Sequence, residues 1–387
     1  MKRYADRTYR ILGEAAFEVL AKAKELERQG SEILHFEIGE PDMDTPAFIT
    51  GAAKEALDQG HTHYVPSGGT LELKQAIQDE IEATRGFRPD LDQILVLPGL
   101  KPGIFFSVTA LAQPGDEVIF QDPAYPTYGS LTAYTGATPM PIPLLEENEF
   151  RMSPDDIKER ITEKTKLIII NSPQNPTGSV LKRSEVEEIA EMAEEHDIFL
   201  VSDEIYSKML YNGEEHHSAC VRDECRERSI LLDGFSKAYA MTGWRLGYAI
   251  APKQLVEKFT LMAINAISCT TSFVQDAGVT ALRGNQDFIT DMMDKFTARR
   301  DAVVKGLNAI EGVSCIYPKG AFYAFPNITG TGMTSDQVAD KILKEAGVAL
   351  LPGTAFGPSG EGYLRLSYAT DMDTIQRAML KMKEVLE

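Results

Sequence analysis

The sequence is poor in cysteine, in basic residues and in long apolar runs, and each shortage removes a class of protein. Four cysteines in 387 residues (Cys220, Cys225, Cys269, Cys315) show no framework spacing. That excludes a disulfide-stapled scaffold and points to a reducing, cytoplasmic setting. Lysine and arginine number 39 against 58 aspartates and glutamates, a net charge of −19. A surface this acidic repels phosphate backbones and argues against a nucleic-acid partner. No apolar run approaches the ~20 residues of a membrane span, so no membrane is expected. The first seven residues lead into mixed polar sequence without an apolar signal core, and secretion is not expected. His216, His217, Cys220 and Cys225 match no usual zinc spacing and read as a polar loop with incidental thiols, so no metal is expected. Residues 330–335 lack the third glycine of a dinucleotide loop and read as a turn followed by a helix cap.

What is present is an ordinary globular composition, 43% hydrophobic and 25% charged, in a chain longer than one core usually carries. Two domains are therefore expected. Apolar runs at 94–97, 117–120, 166–170, 199–202, 229–232 and 246–250 alternate with helical patterns such as 184–195. This alternation predicts an α/β fold, with a mostly parallel sheet and helices on both faces. Ahead of it the spacing predicts an amphipathic helix over 14–29 and a strand over 33–38 running into Gly39. Helices are also predicted over 46–59, with Thr45 as cap and Pro46 at the first position, and over 71–85 and 102–111. Later come a long helix near 286–307 and an alternating, strand-like run at 320–325.

The chemistry sits where those strands end, the usual ligand edge of an open α/β sheet. Lys237 follows the run 229–232 in Gly-Phe-Ser-Lys. Enclosed by apolar groups or beside another cation, a lysine loses proton affinity and becomes a nucleophilic amine, suited to a Schiff base with a carbonyl. Arg245, eight residues on, offers a fork of donors for phosphate. Gly99, Leu100 and Lys101 open a helix whose first amides attract anions. Tyr125 could stack on a flat ring, and the Asn175 amide could donate to a ring oxygen. Asp203 at a strand end could keep a ring nitrogen protonated, with Tyr206 three residues on, on the same face of a following helical turn. Taken singly, each has a plain alternative: solvated charges, turns, or a tyrosine in the core.

Taken in one order along the chain, these stretches are similar to a known family. They are Ser172-Pro-Gln-Asn-Pro-Thr-Gly178, Ser202-Asp-Glu-Ile-Tyr206, Phe235-Ser-Lys237, Met241-Thr-Gly-Trp-Arg-Leu-Gly-Tyr248 and Tyr363-Leu-Arg-Leu-Ser-Tyr368. The sequence resembles the fold-type I pyridoxal phosphate enzymes and, within them, the class I/II aminotransferases related to aspartate aminotransferase. The resemblance covers nearly the whole chain. It implies a large domain over 45–280 with a mostly parallel seven-stranded sheet sandwiched by helices, and a smaller α/β domain from 1–44 and 281–387. It implies pyridoxal 5'-phosphate as cofactor and ping-pong transfer of an amino group between an L-amino acid and a 2-oxo acid. It also implies a homodimer with a shared active site.

The same resemblance assigns roles. Lys237 would bind the cofactor as a Schiff base and then shuttle the substrate proton. Asp203 would pair with the ring nitrogen, Tyr206 and Asn175 would reach the ring hydroxyl, and Tyr125 would stack on the ring. Gly99, Leu100 and Lys101 through their amides, with Ser236 and Arg245, would surround the phosphate, and Tyr64 would reach the phosphate of the neighbouring subunit. Arg365 would grip the substrate α-carboxylate, helped by the backbone of Gly39, with Asn175 and Tyr125 beside the substrate. The Asp122–Pro123 and Asn175–Pro176 bonds resemble cis bonds in relatives. Departures leave the amino acid open. Gly234 and Leu100 stand where relatives often carry a hydroxyl or a small residue. The Lys101 side chain matches a lysine that contacts a distal carboxylate in some relatives, yet Glu14, in Gly13-Glu14-Ala15-Ala16, would repel acidic substrates. Other readings remain: a β-lyase, a decarboxylase or a cyclopropane-forming synthase on the same core, a cofactor-sensing regulator, or a cofactor-free scaffold.

Overall fold

Short apolar runs bounded by turn residues become strands buried on both faces. The computed structural model describes residues 3–387. In chain order the strands are β1 (Leu34–His35), β2 (Ile94–Leu97), β3 (Glu117–Asp122), β4 (Thr138–Pro143), β5 (Thr165–Asn171), β6 (Phe199–Asp203), β7 (Ser229–Gly234), β8 (Gly247–Ile250), β9 (Tyr323–Ala324), β10 (Val348–Ala349), β11 (Leu351–Pro352) and β12 (Leu364–Ser367). Seven of them form one sheet in the order β2-β8-β7-β6-β5-β3-β4. Pairing is parallel from β4 through β7, while β8 runs antiparallel to both β7 and β2. Leu167, Ile168, Ile169 and Ile170 of β5 are all buried, so consecutive side chains, which point to opposite faces, both meet helices. Each such side chain contributes about 1.5–3 kcal/mol by leaving water.

The edge strand β4 was not legible as a strand, because prolines occupy 139, 141 and 143. Their period of two puts every missing N–H on the outer edge, away from β3, so the ladder keeps its bonds and the sheet cannot grow further. At the other side of the sheet, Gly234 and Gly247 pair across β7 and β8. A Cβ on Gly234 would stand 2.9 Å from the Gly247 Cα and 3.1 Å from the Leu246 carbonyl oxygen. The backbone is too close there for the hydroxyl side chain that the family resemblance would place at this position.

A second body of structure combines β1 with β10 in a parallel pair and β11-β12-β9 in an antiparallel sheet. The helix Asp287–Leu307 packs there against the C-terminal helix Met372–Leu386, with Val303, Val304 and Leu307 in the same core as Ile375, Ala378 and Met382. The approach is close, since a Cβ on Gly306 would meet Met379.

Several expected boundaries shift. The helix expected over 46–59 is Ala47–Asp58. Thr45 does not cap it; its hydroxyl donates to the Ala240 carbonyl at 2.6 Å and accepts from the Trp244 indole at 2.9 Å. The strand expected over 33–38 shortens to β1, because Phe36 divides its backbone bonds between Ala349 and Ser367 and so steps from one small sheet to the other. Only Tyr323–Ala324 of 320–325 pairs as a strand. After β6 the chain makes turns rather than a helix, with Ser207 N–H bonded to Glu204 and Met209 N–H to Tyr206, each at 2.8 Å. Thr334 caps the helix Ser335–Lys341, as the turn reading of 330–335 requires. The peptide bonds 122–123 and 175–176 are cis, and so is 172–173, which was not expected. Among the described residues no helix is long and apolar enough to cross a membrane.

Candidate active site

The parallel strands deliver their C-terminal residues to one cavity of about 670 Å³. Asn171 ends β5, Asp203 ends β6, and Ser236 and Lys237 follow β7. Leu100 and Lys101 follow β2, and Tyr125 follows β3. The opposite wall is Glu14 and the helix Ala15–Arg28, the segment from His35 to Glu40, Tyr323 and Arg365. All the residues proposed for ring, lysine, phosphate side chain and substrate therefore converge. Gly99 sits directly behind Leu100. Tyr64 stands apart, 88% exposed on its loop.

Lys237 Nζ donates to the Gly39 carbonyl at 2.6 Å and lies over the rings of Phe322 and Tyr206, at 5.6 and 5.8 Å. Burial, reinforced by Arg365 and Arg245 and opposed by Glu40, pulls its pKa down to about 8. The free amine is thus more accessible near neutrality than that of an ordinary lysine. Gly39 is required there, because a Cβ would fall 2.2 Å from the Tyr323 hydroxyl.

Asp203 is buried, and its carboxylate accepts from the Tyr128 hydroxyl at 2.7 Å and from the Ile205 N–H at 3.3 Å. Burial, with the nearby charges of Asp233 and Glu204, pushes its pKa up to about 7 despite those donors. No cation among the described residues pairs with it. Its neighbour Glu204 shows the contrast: burial pushes it up as well, but His216 at 2.9 Å and Arg85 at 3.0 Å bring it down to about 2. Of the two adjacent acids, one is paired with the protein's own cations and the other lines the cavity without one, open to a ligand's N–H⁺.

Beside these groups the cavity meets a helix start with an arginine laid against a glycine. Gly99 has φ +85°, and a Cβ there would stand 2.2 Å from Arg245 Nη2. Arg245 Nη1 donates to the Thr242 carbonyl at 2.8 Å, which aims the fork across the amides that open the helix Lys101–Leu111. Asn175 is buried with its Oδ1 free of any hydrogen-bond partner, while its N–H is held by the Asn171 side chain at 2.9 Å. Tyr206 and Tyr323 share a hydroxyl contact of 2.8 Å. These donors and acceptors fit pyridoxal phosphate: an amine for its aldehyde, an unpaired carboxylate for its ring nitrogen, an amide beside its ring oxygen, and amides with a guanidinium for its phosphate.

On the opposite wall Arg365 is buried, with its guanidinium 4.7 Å above the Tyr323 ring and 5.1 Å from the Phe356 ring. Its Nη2 donates to the Glu37 carbonyl, its Nε has no partner, and burial holds its pKa below the ordinary arginine value. Lys101 does not stand free. Its ammonium is ion-paired with Glu14, whose Oε1 also accepts from the Tyr125 hydroxyl at 3.3 Å. Among the cavity residues that the sequence reading gave no role are Tyr128, Tyr323, Glu37 and His35. For Tyr128 the usable signal was its place three residues after Tyr125, one face of a helical turn. Tyr323 had only its alternation with Phe322, and Glu37 and His35 had none.

The family profile "Aminotransferase class I and II" matches residues 31–381. An aspartate aminotransferase of Pyrococcus abyssi is 43% identical over 358 residues, 92% of either chain. An aromatic-amino-acid aminotransferase of Thermococcus litoralis is 41% identical, covering 93% of each. Among solved structures, the aspartate aminotransferase of Thermus thermophilus with maleate superposes with a TM-score of 0.94, at 35% identity and full coverage of both chains.

Proposed function

The chain belongs to the class I and II aminotransferases and uses pyridoxal 5'-phosphate to move an amino group between an amino acid and a 2-oxo acid; from that premise we propose how its own residues divide the work. The bound cofactor supplies an electrophilic carbonyl and a ring that spreads carbanion charge. Lys237 would hold that carbonyl through its amine, and the same amine, when free, would take the proton from the substrate α-carbon. Asp203 holds a proton on the ring nitrogen, and Tyr128 orients the carboxylate for that contact. Tyr206 and Asn175 hold the ring oxygen, and Tyr125 covers the ring face. The amides of Gly99, Leu100 and Lys101, with Ser236 and Arg245, hold the phosphate. Arg365 takes the α-carboxylate in a two-pronged contact, with Gly39 beside it.

The observation that carries this reading is the lowered Lys237 amine in the same cavity as an uncompensated Asp203 and the buried Arg365. The division into a cofactor domain over 45–280 and a smaller domain from 1–44 and 281–387 belongs to the same proposal. So does a homodimer in which Tyr64, 88% exposed in the single chain, reaches the neighbouring site. A cytoplasmic location agrees with four unpaired cysteines. The side-chain end of the site favours uncharged substrates, because Glu14 already neutralises Lys101 and the remaining wall includes Phe17, Ile38 and Phe356.

A half-reaction screen tests the reading. Single amino acids are added to the cofactor-loaded protein, and the visible band and the 2-oxo acid are followed. One 2-oxo acid released per site is the expected result. Ammonia release or decarboxylation in its place would move the chain to one of the related chemistries.

A further inference from the structure

Glu37 has no exposed surface, and nothing in the reaction described above uses its carboxylate. Its Oε1 is 2.8 Å from His35 Nδ1, and its Oε2 has no hydrogen-bond partner. The carbonyl of the same residue accepts from Arg365 Nη2, and Arg365 Nε is likewise without a partner. The residue whose main-chain carbonyl holds the Arg365 guanidinium thus also carries a buried carboxylate, whose charge acts on that guanidinium without an ion pair to it. The second imidazole nitrogen, His35 Nε2, is 3.1 Å from Glu27 of the helix Ala15–Arg28, and Lys24 of that helix bridges Glu27 at 2.8 Å.

We propose that His35 and Glu37 form a positioning pair that keeps Arg365 available to the substrate carboxylate. In a low-dielectric pocket an unpaired carboxylate draws the nearest cation to itself. An imidazolium on Oε1 satisfies that charge locally, and Arg365 then faces the cavity. Without the imidazolium, Glu37 competes with the substrate for the same guanidinium. The charged groups facing the pair are Glu27 with Lys24 from the helix Ala15–Arg28 and Arg365 from β12. The His35 pKa is raised by its bond to Glu37, opposed by burial and helped by Glu27. The imidazolium is therefore present below that raised value and lost as pH rises through it, so carboxylate binding weakens in that direction.

The inference rests on Arg365 being the carboxylate clamp, and the test separates the two. The probe is 3-phenylpropionate, a carboxylate with no amine to react, titrated calorimetrically into the cofactor-loaded protein at several pH values. His35→Gln should weaken binding about tenfold at neutral pH, on the scale of one charge-assisted hydrogen bond, and should raise KM for amino acids with little change in kcat. Glu37→Gln, close to isosteric, should bind as well as the parent and lose the pH dependence. The double variant should recover the affinity that His35→Gln loses. An unchanged Kd in His35→Gln, a double variant as weak as that single one, or a pH dependence that persists in Glu37→Gln would each overturn the pair. Arg365→Lys is the control: if it binds the probe like the parent, the clamp reading itself fails. If it loses the probe while both pair variants behave like the parent, only the pair fails.

Discussion

On the sheet side of the cavity, Asn171 and Asp203 end adjacent parallel strands in direct register, and Lys237 follows the next strand over. On the far side, Glu14 precedes a helix, Glu37 follows a two-residue strand, and Arg365 lies on a short antiparallel one, paired through its Nη2 with a residue 328 positions away. The sheet side is held by a continuous ladder with helices on both faces. The far side depends on a few single contacts: the Arg365 side chain to the Glu37 carbonyl, His35 to Glu27, and Lys101 to Glu14. Under the proposed function the difference separates two tasks: the groups proposed to make and move bonds sit where register fixes their positions, and those proposed to select the substrate sit on segments outside the sheet.

If that division is right, substitutions on the sheet side lower kcat and those on the far side raise KM. Lys237→Ala should have the largest effect, a loss on the order of 10⁴ or more in turnover, since one group is both nucleophile and base. Asp203→Asn should follow with about a 10²–10³-fold loss in kcat, the scale of removing one electrostatic partner of developing charge, with the folded state retained by circular dichroism. Arg365→Lys keeps the charge but loses the fork. It should raise KM for every amino acid roughly tenfold to a hundredfold, the scale of a lost hydrogen bond to a charged group. A fall in kcat with unaltered KM in that variant would break the comparison.

A pH experiment sharpens the sheet side. The Lys237 amine is held at about 8, so capture of pyridoxal phosphate by the apoprotein should speed up as pH rises and level off above that value. A rate still climbing through pH 10 would mean an amine of ordinary basicity. The smallest effect is expected at Glu14, in a half-exposed ion pair. Glu14→Gln should raise kcat/KM for aspartate or glutamate about twofold to fivefold relative to phenylalanine, the scale of a partly screened pair. An unchanged ratio would show that the Lys101 ammonium does not meet the substrate side chain.

The same contrast explains what was legible in the sequence. The sheet side was readable because each of its residues closes a recognisable apolar run: Asp203 after 199–202, Lys237 after 229–232, Asn175 shortly after 166–170. Strand β4 escaped because its prolines suppress the usual strand signal while serving the edge. The far side escaped because its contacts are tertiary. Nothing local to Glu37 announces Arg365, and nothing local to Asp203 announces Tyr128. Glu14 stands out in the sequence as a departure, but its pairing with Lys101 needed three dimensions. Gly234 was noticed as a missing hydroxyl, and its reason is the Gly247 backbone beside it.

The central claim is that the cofactor is bonded to one amine, that of Lys237. Reduction of the fully loaded protein with borohydride, followed by proteolysis and mass analysis, reads that bond directly. A pyridoxyl-phosphate label confined to the peptide containing Lys237 is the predicted result. A label on another lysine, or none despite full loading, would contradict it.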